Sequence, residues 1–250
     1  MNETIRQLYT RKSVRVFENR DIGAEEKAAI LRAACEAPTA GNQQLYTILD
    51  ITDQALKDRL AVTCDNQPFI ATAKMVLIFC ADCEKWYDAF REAGCQPRVP
   101  GVGDLFLAMS DTNIAAQNAV VAAESLGIGS CYIGDVLENC EIHRQLLHLP
   151  EYVVPVAMLV FGYPTAQQKT RQKPQRVAMK HIVHENGYRT MDGGELREMF
   201  APRCGERSYE DWMGAFCARK FNSDFSREMT RSATEYLRSF QENDTKGELS

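Results

Sequence analysis

An alanine-rich segment, residues 104–126, restricts the fold more than any other part of this sequence. Its apolar residues predict a helix, and they lie nearly all round that helix instead of along one face. They include Ala108, Ile114, Ala115, Ala116, Ala119, Val120, Val121, Ala122 and Ala123. Such a helix must be buried on most of its surface, and its alanines let another backbone approach closely. We therefore expect it to lie in the core and to need a second surface to cover it.

The size and composition are those of an ordinary globular protein. A chain of 250 residues buries about 73% of its surface on folding, enough for one large domain with or without an appendage. It is 45% hydrophobic and 25% charged, which excludes collagen-like and wholly disordered chains. Its net charge of −5 makes it a poor non-specific ligand for nucleic acid or for anionic membranes.

The cysteines and the apolar segments predict a cytoplasmic protein. Nine cysteines are an odd number, at too low a density for a disulfide scaffold. Residues 1–8 contain no apolar region of a signal peptide. The longest apolar stretch, residues 69–81, contains Lys74 and is too short to cross a bilayer. The sequence therefore predicts a reducing cytosol and no membrane association.

Apolar periodicity and turn residues predict most of the remaining elements. Helices are expected over residues 4–10, 24–36, 53–64 and 195–239. Strands are expected over residues 45–52, 75–81 and 153–161, and Pro155 predicts that the last of these begins near a sheet edge. Residues 167–176 are expected to be a loop, and residues 243–250 a frayed tail.

Five short motifs combine residue types that suit a phosphate or a polar heterocycle. Arg11, Lys12, Ser13 and Arg15 offer cations and a hydroxyl to a phosphate, although a solvated basic turn explains them better when they are taken alone. The others are the polar loop 37–44 with Thr39 and Asn42, the Asn66-Gln67-Pro68 segment, the glycine-rich segment 127–134, and the basic pair Lys173 and Arg176. The glycine-rich segment lacks the G-x-G-x-x-G spacing, so it is not a Rossmann phosphate turn.

These motifs, in this order, resemble the nitroreductase/flavin reductase superfamily of FMN-dependent enzymes. The chain looks most similar to the oxygen-insensitive NAD(P)H nitroreductase and flavin reductase branch. The resemblance covers residues 1–190, the expected FMN-binding domain. Residues 191–242 resemble the family's C-terminal helical extension only loosely.

The resemblance implies an α+β fold in which helices flank a mainly antiparallel sheet. It also implies an intertwined homodimer that binds FMN at the subunit interface, with the alanine-rich helix in or near the seam. The residues that it assigns to the phosphate are Arg11, Ser13, Arg15, Lys173 and Arg176. At the ring's pyrimidine edge it implies Thr39, Asn42 and Gln67, with Lys12 near N1 and O2. Tyr132, Ile133 and Gly134 are implied near the dimethylbenzene or N5 side.

The function implied by the resemblance is an FMN-dependent NAD(P)H oxidoreductase. Flavin N5 takes a hydride from NADPH or NADH and then reduces a small-molecule acceptor, for which nitroaromatics, quinones and free flavins are candidates. No side chain is expected to act as a nucleophile or general base. Two alternatives stay open: reductive dehalogenation or ene reduction on the same scaffold, and a flavin-binding redox protein without NAD(P)H turnover.

Other motifs point to competing chemistry more weakly. Cys80 and Cys83 form one C-x-x-C, without the second pair that a zinc site needs. His181 and His184 lack an obvious carboxylate partner, so no metal site is expected. Basic residues of the extension, Arg203, Arg207 and Lys220, suit a solvated face better than a site for the phosphate of a nicotinamide cofactor.

Overall fold

The computed structural model describes residues 1–241, so the predicted frayed tail lies outside the described residues. Its contacts divide the chain into two units. The first contains Met1–Gln172 and the segment that begins at Met229, and the second is Lys173–Glu228. The predicted boundary of the FMN-binding domain at residue 190 stays a prediction.

Helices account for most of the regular structure. The helices are α1 Glu3–Thr10, α2 Ala24–Cys35, α3 Gln54–Thr63, α4 Phe69–Thr72, α5 Glu84–Glu92, α6 Val102–Ser125, α7 Cys140–Leu147, α8 Ala166–Thr170, α9 Gly193–Cys204, α10 Tyr209–Lys220 and α11 Asp224–Gln241. The helices predicted from periodicity are confirmed, including the alanine-rich one, which is α6. The prediction of a loop over residues 167–176 is wrong in its first part, which belongs to α8. Thr165 caps this helix by accepting a hydrogen bond from the backbone N–H of Gln168.

The first unit is built on an antiparallel sheet of four strands. These are β1 Tyr46–Asp50, β2 Met75–Asp82, β3 Gly129–Ile133 and β4 Val153–Gly162, in the order β1-β2-β4-β3. Strands β2 and β4 are buried along their whole length, as their continuous apolar sequences predict. Helices pack on both faces of the sheet, so the predicted α+β class is confirmed.

Strand β4 lies inside the sheet, but its first half has a partner on only one side. Strand β3 pairs only with the second half of β4, from Ile133 opposite Met158 to Gly129 opposite Gly162. Pro155 lies in the other half, opposite Cys80 and beside a register shift in β2. Proline has no backbone N–H to donate, and no β3 residue lies beside Pro155 to accept such a bond. This part of β4 is therefore the local sheet edge that Pro155 predicted.

Helix α6 lies on the sheet through a face that is mostly alanine. Its buried residues are Leu105, Ala108, Asp111, Thr112, Ala115, Ala116, Ala119, Val120 and Ala123. Together with α2 they cover the face of the sheet that carries Leu77, Phe79, Leu159 and Phe161. The opposite side of α6 leaves large apolar side chains exposed, with Phe106, Leu107 and Ile114 at 62%, 52% and 40%. The burial of one face agrees with the sequence, and the exposed apolar residues still need a partner surface.

The N-terminal cationic motif is held against the open edge of β3. The backbone N–H of Val14 donates to the Ser130 carbonyl at 2.9 Å, and Ser13 and Ser130 form a parallel bridge. This approach requires glycine at position 129, because a Cβ there would lie 2.6 Å from Cγ2 of Val14. Burial of β3 against this segment overrides the weak strand propensity of its Gly, Ser and Cys residues, which is why sequence patterning missed the strand.

The second unit is helical and carries its own small aromatic cluster. Trp212 is buried in α10 and stacks on Phe216, with ring centroids 5.0 Å apart, and on Phe200 of α9 at 6.0 Å. These helices confirm the helical pattern predicted for residues 195–239. Among the described residues, no helix is long and apolar enough to cross a membrane.

We predict that Gly129→Ala destabilises the protein by about 1–3 kcal/mol, because the new methyl group overlaps the side chain of Val14. The matched control is Gly103→Ala in α6, where nothing lies within 4 Å of the added Cβ and alanine favours the helix. Chemical denaturation measures both. Equal free energies of unfolding for Gly129→Ala and the wild type would contradict the close approach.

Candidate functional site

Two arginines of the N-terminal motif have no acidic partner within the part of the chain that the structure describes. Arg11 follows α1, and its backbone N–H caps that helix by donating to the Gln7 carbonyl at 2.8 Å. Among residues 1–241, neither Arg11 nor Arg15 forms an ion pair. The Nε atom of Arg11 is buried and has no hydrogen-bond partner there. A buried guanidinium N–H without an acceptor suits an anionic ligand.

The side chains of this motif converge on Cys131 of β3. Burial raises the pKa of the Cys131 thiol, while Arg15, a hydrogen bond with the Ser13 side chain and Arg11 each act to lower it. Arg11 also opposes the effect of burial on Tyr132, whose pKa is raised to about 12. The structure therefore brings Arg11, Ser13 and Arg15 together at the edge of β3.

Lys12 belongs to the same motif but has a different environment. Its Nζ donates to the carbonyl oxygens of Lys169, at 2.8 Å, and of Arg171. The Arg171 guanidinium in turn donates to the Ser13 carbonyl. Lys12 thus ties the end of α8 to the motif, and its ammonium group is already occupied by the chain. These contacts do not support the predicted place of Lys12 near N1 and O2 of the flavin.

Arg15 faces the segment that contains Gln67. Its guanidinium carbon lies 5.8 Å from the centroid of the Phe69 ring, at the start of α4. Gln67 follows two residues with positive φ, Asp65 and Asn66, and its Nε2 donates to the Cys64 carbonyl at 2.9 Å. The resemblance assigned Arg15 to the phosphate of FMN and Gln67 to the pyrimidine edge of its ring. The two residues nevertheless lie on neighbouring segments.

The polar loop between α2 and β1 is tightly held. The Thr39 hydroxyl donates to the carboxylate of Asp111 in α6 and accepts from the Gln44 backbone N–H at 2.8 Å. Asn42 accepts from the Gln44 side chain at 3.0 Å. On the other side, Trp86 Nε1 donates to the Gln43 carbonyl at 2.7 Å. Asp111 and Trp86 were missed from the sequence, although an acid in the middle of an alanine-rich helix is a visible signal.

Strand β3 turns its predicted ligand side chains into the core. Tyr132 packs on the α6 side of the sheet, where its hydroxyl donates to Gln117 at 3.3 Å, and Ile133 is buried on the opposite side. Gly134 is exposed, with nothing within 4 Å of the position of a Cβ. This segment therefore offers a ligand its backbone and the open space beside Gly134.

The second basic pair belongs to the other unit of the structure. Lys173 is half-buried and Arg176 is exposed, both at the beginning of Lys173–Glu228. Their assignment to the phosphate stays a prediction. Arg203, Arg207 and Lys220 are exposed in the same unit, as a solvated face requires.

Neither competing motif assembles a reactive centre. Burial raises the pKa of both the Cys80 and the Cys83 thiol to about 12, and both cysteines are free. Such thiols stay protonated at neutral pH, so they are poor redox nucleophiles. Within the described residues, no group of three or more His, Cys, Asp or Glu side chains could hold a metal ion, and this includes the surroundings of His181 and His184.

Comparison with known proteins agrees with this arrangement. The model of the nitroreductase family matches residues 8–163, which contain the cationic motif, the polar loop and the whole sheet. The chain belongs to the nitroreductase family. The match confirms the resemblance seen in the sequence.

Two curated relatives in the nitroreductase family are similar over most of the chain. The oxygen-insensitive NADPH nitroreductase of Salmonella typhimurium is 34% identical over 193 residues, 77% of each chain. The NADPH-dependent FMN reductase of Bacillus subtilis is 30% identical over 190 residues, 75% of each chain. The solved structure of NfrA2 from B. megaterium superposes with a TM-score of 0.80 at 27% identity, over 93% of this chain and 98% of that one.

The residues at the β3 edge fit the phosphate of FMN. A phosphate monoester carries close to two negative charges at neutral pH and accepts several hydrogen bonds. Within residues 1–241, Arg11 has a buried Nε without a hydrogen-bond partner that such an acceptor can use, and Ser13 adds a hydroxyl. The donor set of this nitroreductase-family chain therefore matches the group that the family resemblance implies.

Proposed function

We propose that this chain is an FMN-dependent NAD(P)H oxidoreductase of the cytosol that reduces nitroaromatics, quinones or free flavins. The observation that carries the proposal is the buried Nε of Arg11, which has no hydrogen-bond partner among residues 1–241 and belongs to the motif held at the β3 edge. The two relatives described above are an NADPH nitroreductase and an NADPH-dependent FMN reductase, and these activities support both the cofactor and the electron donor.

In this proposal the two arginines of the motif bind different parts of the cofactor. Arg11 and Ser13 bind the phosphate, because Arg11 has a buried N–H without an acceptor among residues 1–241 and Ser13 is held at the edge of β3. Arg15 lies beside Phe69, which follows Gln67 by two residues, so we assign it to the N1–O2 edge of the ring, where its charge favours reduction. Lys173 and Arg176 stay predicted phosphate ligands.

The protein's contribution is to bind and orient, not to provide a nucleophile or base. When bound, FMN supplies the redox chemistry by accepting a hydride at N5 from NAD(P)H and passing it to an acceptor. Asn42 and Gln67 offer neutral amide groups to the pyrimidine edge, and the exposed backbone at Gly134 lets a flat ring approach closely.

The cofactor proposal predicts that the purified protein is yellow and that anaerobic NADPH bleaches it. Flavin released by heating should be FMN, identified by chromatography against FAD and riboflavin. Turnover against a panel of nitroaromatics, quinones, halogenated phenols and activated alkenes separates the proposed activity from reductive dehalogenation and ene reduction. A yellow protein that NADPH does not bleach would support the flavin-binding alternative, and a protein that takes up no FMN would refute the proposal.

The different roles proposed for Arg11 and Arg15 predict that their alanine variants discriminate differently between FMN and riboflavin. Arg11→Ala should weaken FMN binding by about ten- to a hundredfold through loss of a charge-assisted bond, and should leave riboflavin, which lacks the phosphate, almost unaffected. Arg15→Ala should weaken both ligands by similar factors and make the flavin harder to reduce. Titration of both apoproteins with both flavins measures this. An FMN-selective loss in Arg15→Ala would return Arg15 to the phosphate.

The exposed apolar side chains of α6 support an additional proposal, a homodimer with α6 in its seam. Ile5 and Leu8 of α1, which packs against α6, extend the exposed apolar surface beyond Phe106 and Ile114. A second copy of the chain is the commonest partner for such a surface.

The dimer proposal predicts a mass in solution of twice 28.2 kDa by light scattering. Ile114→Asp should shift the mass toward the monomer, since it places a charge in the seam. The control is Val62→Asp, which changes an exposed apolar residue of α3 away from α6 and should stay dimeric. A wild-type monomer that retains FMN would contradict both the dimer and a cofactor site at its interface.

A further inference from the structure

Helix α6 buries a carboxylate in the middle of its alanine face. Asp111 is only 3% exposed, and no Lys, Arg or His among the described residues pairs with it. An isolated buried charge is costly unless hydrogen bonds replace the lost water. Helix packing alone gains nothing from an acid at this position, so the residue needs another explanation.

The partners of Asp111 all belong to one loop. Its oxygens accept from the Thr39 hydroxyl, from the Ala40 N–H at 3.0 Å and from the Leu45 N–H at 3.3 Å. The same Thr39 hydroxyl accepts from the Gln44 N–H, so the contact reaches a fourth loop residue. Asp111 therefore fastens both ends of the loop that precedes β1.

The segment between these ends is strained. Asn42 and Gln44 have φ values of 57° and 46°, in the left-handed region that side chains other than glycine avoid, and Gly41 shares it at 57°. Such conformations are unfavourable for residues other than glycine and persist when surrounding contacts impose them. Asp111 supplies contacts on one side, and Trp86 supplies one on the other through the Gln43 carbonyl.

We propose that Asp111 is a positioning residue that holds residues 39–44 in the conformation that binds the pyrimidine edge of the flavin. This inference rests on the proposed function. It changes the role of Thr39 from a flavin ligand to a link between Asp111 and Gln44. A carboxylate suits the position because it only accepts hydrogen bonds, so all three donors can point at it, whereas an amide presents its own donors to some of them.

The test compares Asp111→Asn with Thr112→Val, both prepared as holoenzyme. Thr112 is also buried in α6, but its hydroxyl donates to the Ala108 carbonyl at 2.6 Å, within the helix and away from the loop. Both variants lose a polar interaction inside α6, so both are expected to melt at a lower temperature. The readouts are the dissociation constants for FMN and riboflavin and the midpoint potential of the bound flavin.

Asp111→Asn should weaken FMN and riboflavin by the same factor, of order tenfold, because the ring edge and not the phosphate loses its partner. Its midpoint potential should become more negative, since loosened donors no longer stabilise the reduced ring. Thr112→Val should keep wild-type affinities and potential. A lower melting temperature with unchanged affinity and potential in Asp111→Asn would overturn the inference, as would a loss confined to FMN.

A second pair of variants tests the same contact from the loop, in case the helix substitution prevents folding. Thr39→Val removes the hydroxyl that links Asp111 to Gln44, and should reproduce the equal loss of both flavins and the shift in potential. Thr39→Ser restores the hydroxyl and should recover most of the wild-type behaviour. Equal flavin binding by Thr39→Val and Thr39→Ser would overturn the inference. Failure of the wild type to bind any flavin would instead refute the proposed function.

Discussion

The close packing of helix α6 on the sheet is the contact on which the other elements depend. Alanine at most of its buried positions removes side-chain bulk, so the helix backbone can approach β2 and β4. Its polar residues then reach neighbouring segments. Asn118 donates to the Ala33 carbonyl of α2 at 3.1 Å, Gln117 accepts from Tyr132 of β3, and Asp111 fastens the loop before β1. One helix thereby fixes the relative positions of three segments.

The candidate site has a charged part and a neutral part, and different physical constraints build them. The charged part depends on the open edge of β3, where Gly129 allows Val14 to approach and so places Arg11 and Ser13. The neutral part depends on α6, whose Asp111 imposes the loop conformation through hydrogen bonds. This separation suits a ligand with an anionic end and a flat, uncharged end, because each end meets groups that are held independently of the other.

Long periodic segments were predictable from the sequence, whereas short elements and side-chain directions were not. The pattern of α6 and the continuous apolar runs of β2 and β4 identified them almost to the residue. Strand β3 and helices α4, α5, α7 and α8 were missed because each is short and depends on tertiary partners. The cationic motif indicated an anion site, but a motif does not say where each side chain points. Lys12 and Thr39 prove to be bonded to the chain itself.

A buried polar residue in an apolar helix lowers the stability of the fold. Its presence is explained by the precise hydrogen bonds that it makes. Alanine or leucine at position 111 would also be buried, without the cost of removing a carboxylate from water. Without the carboxylate, nothing from α6 would accept the N–H groups of Ala40 and Leu45, and the left-handed residues between them would relax toward ordinary conformations. A buried acid whose partners all come from one strained loop therefore contributes more to the conformation of that loop than to the stability of the core.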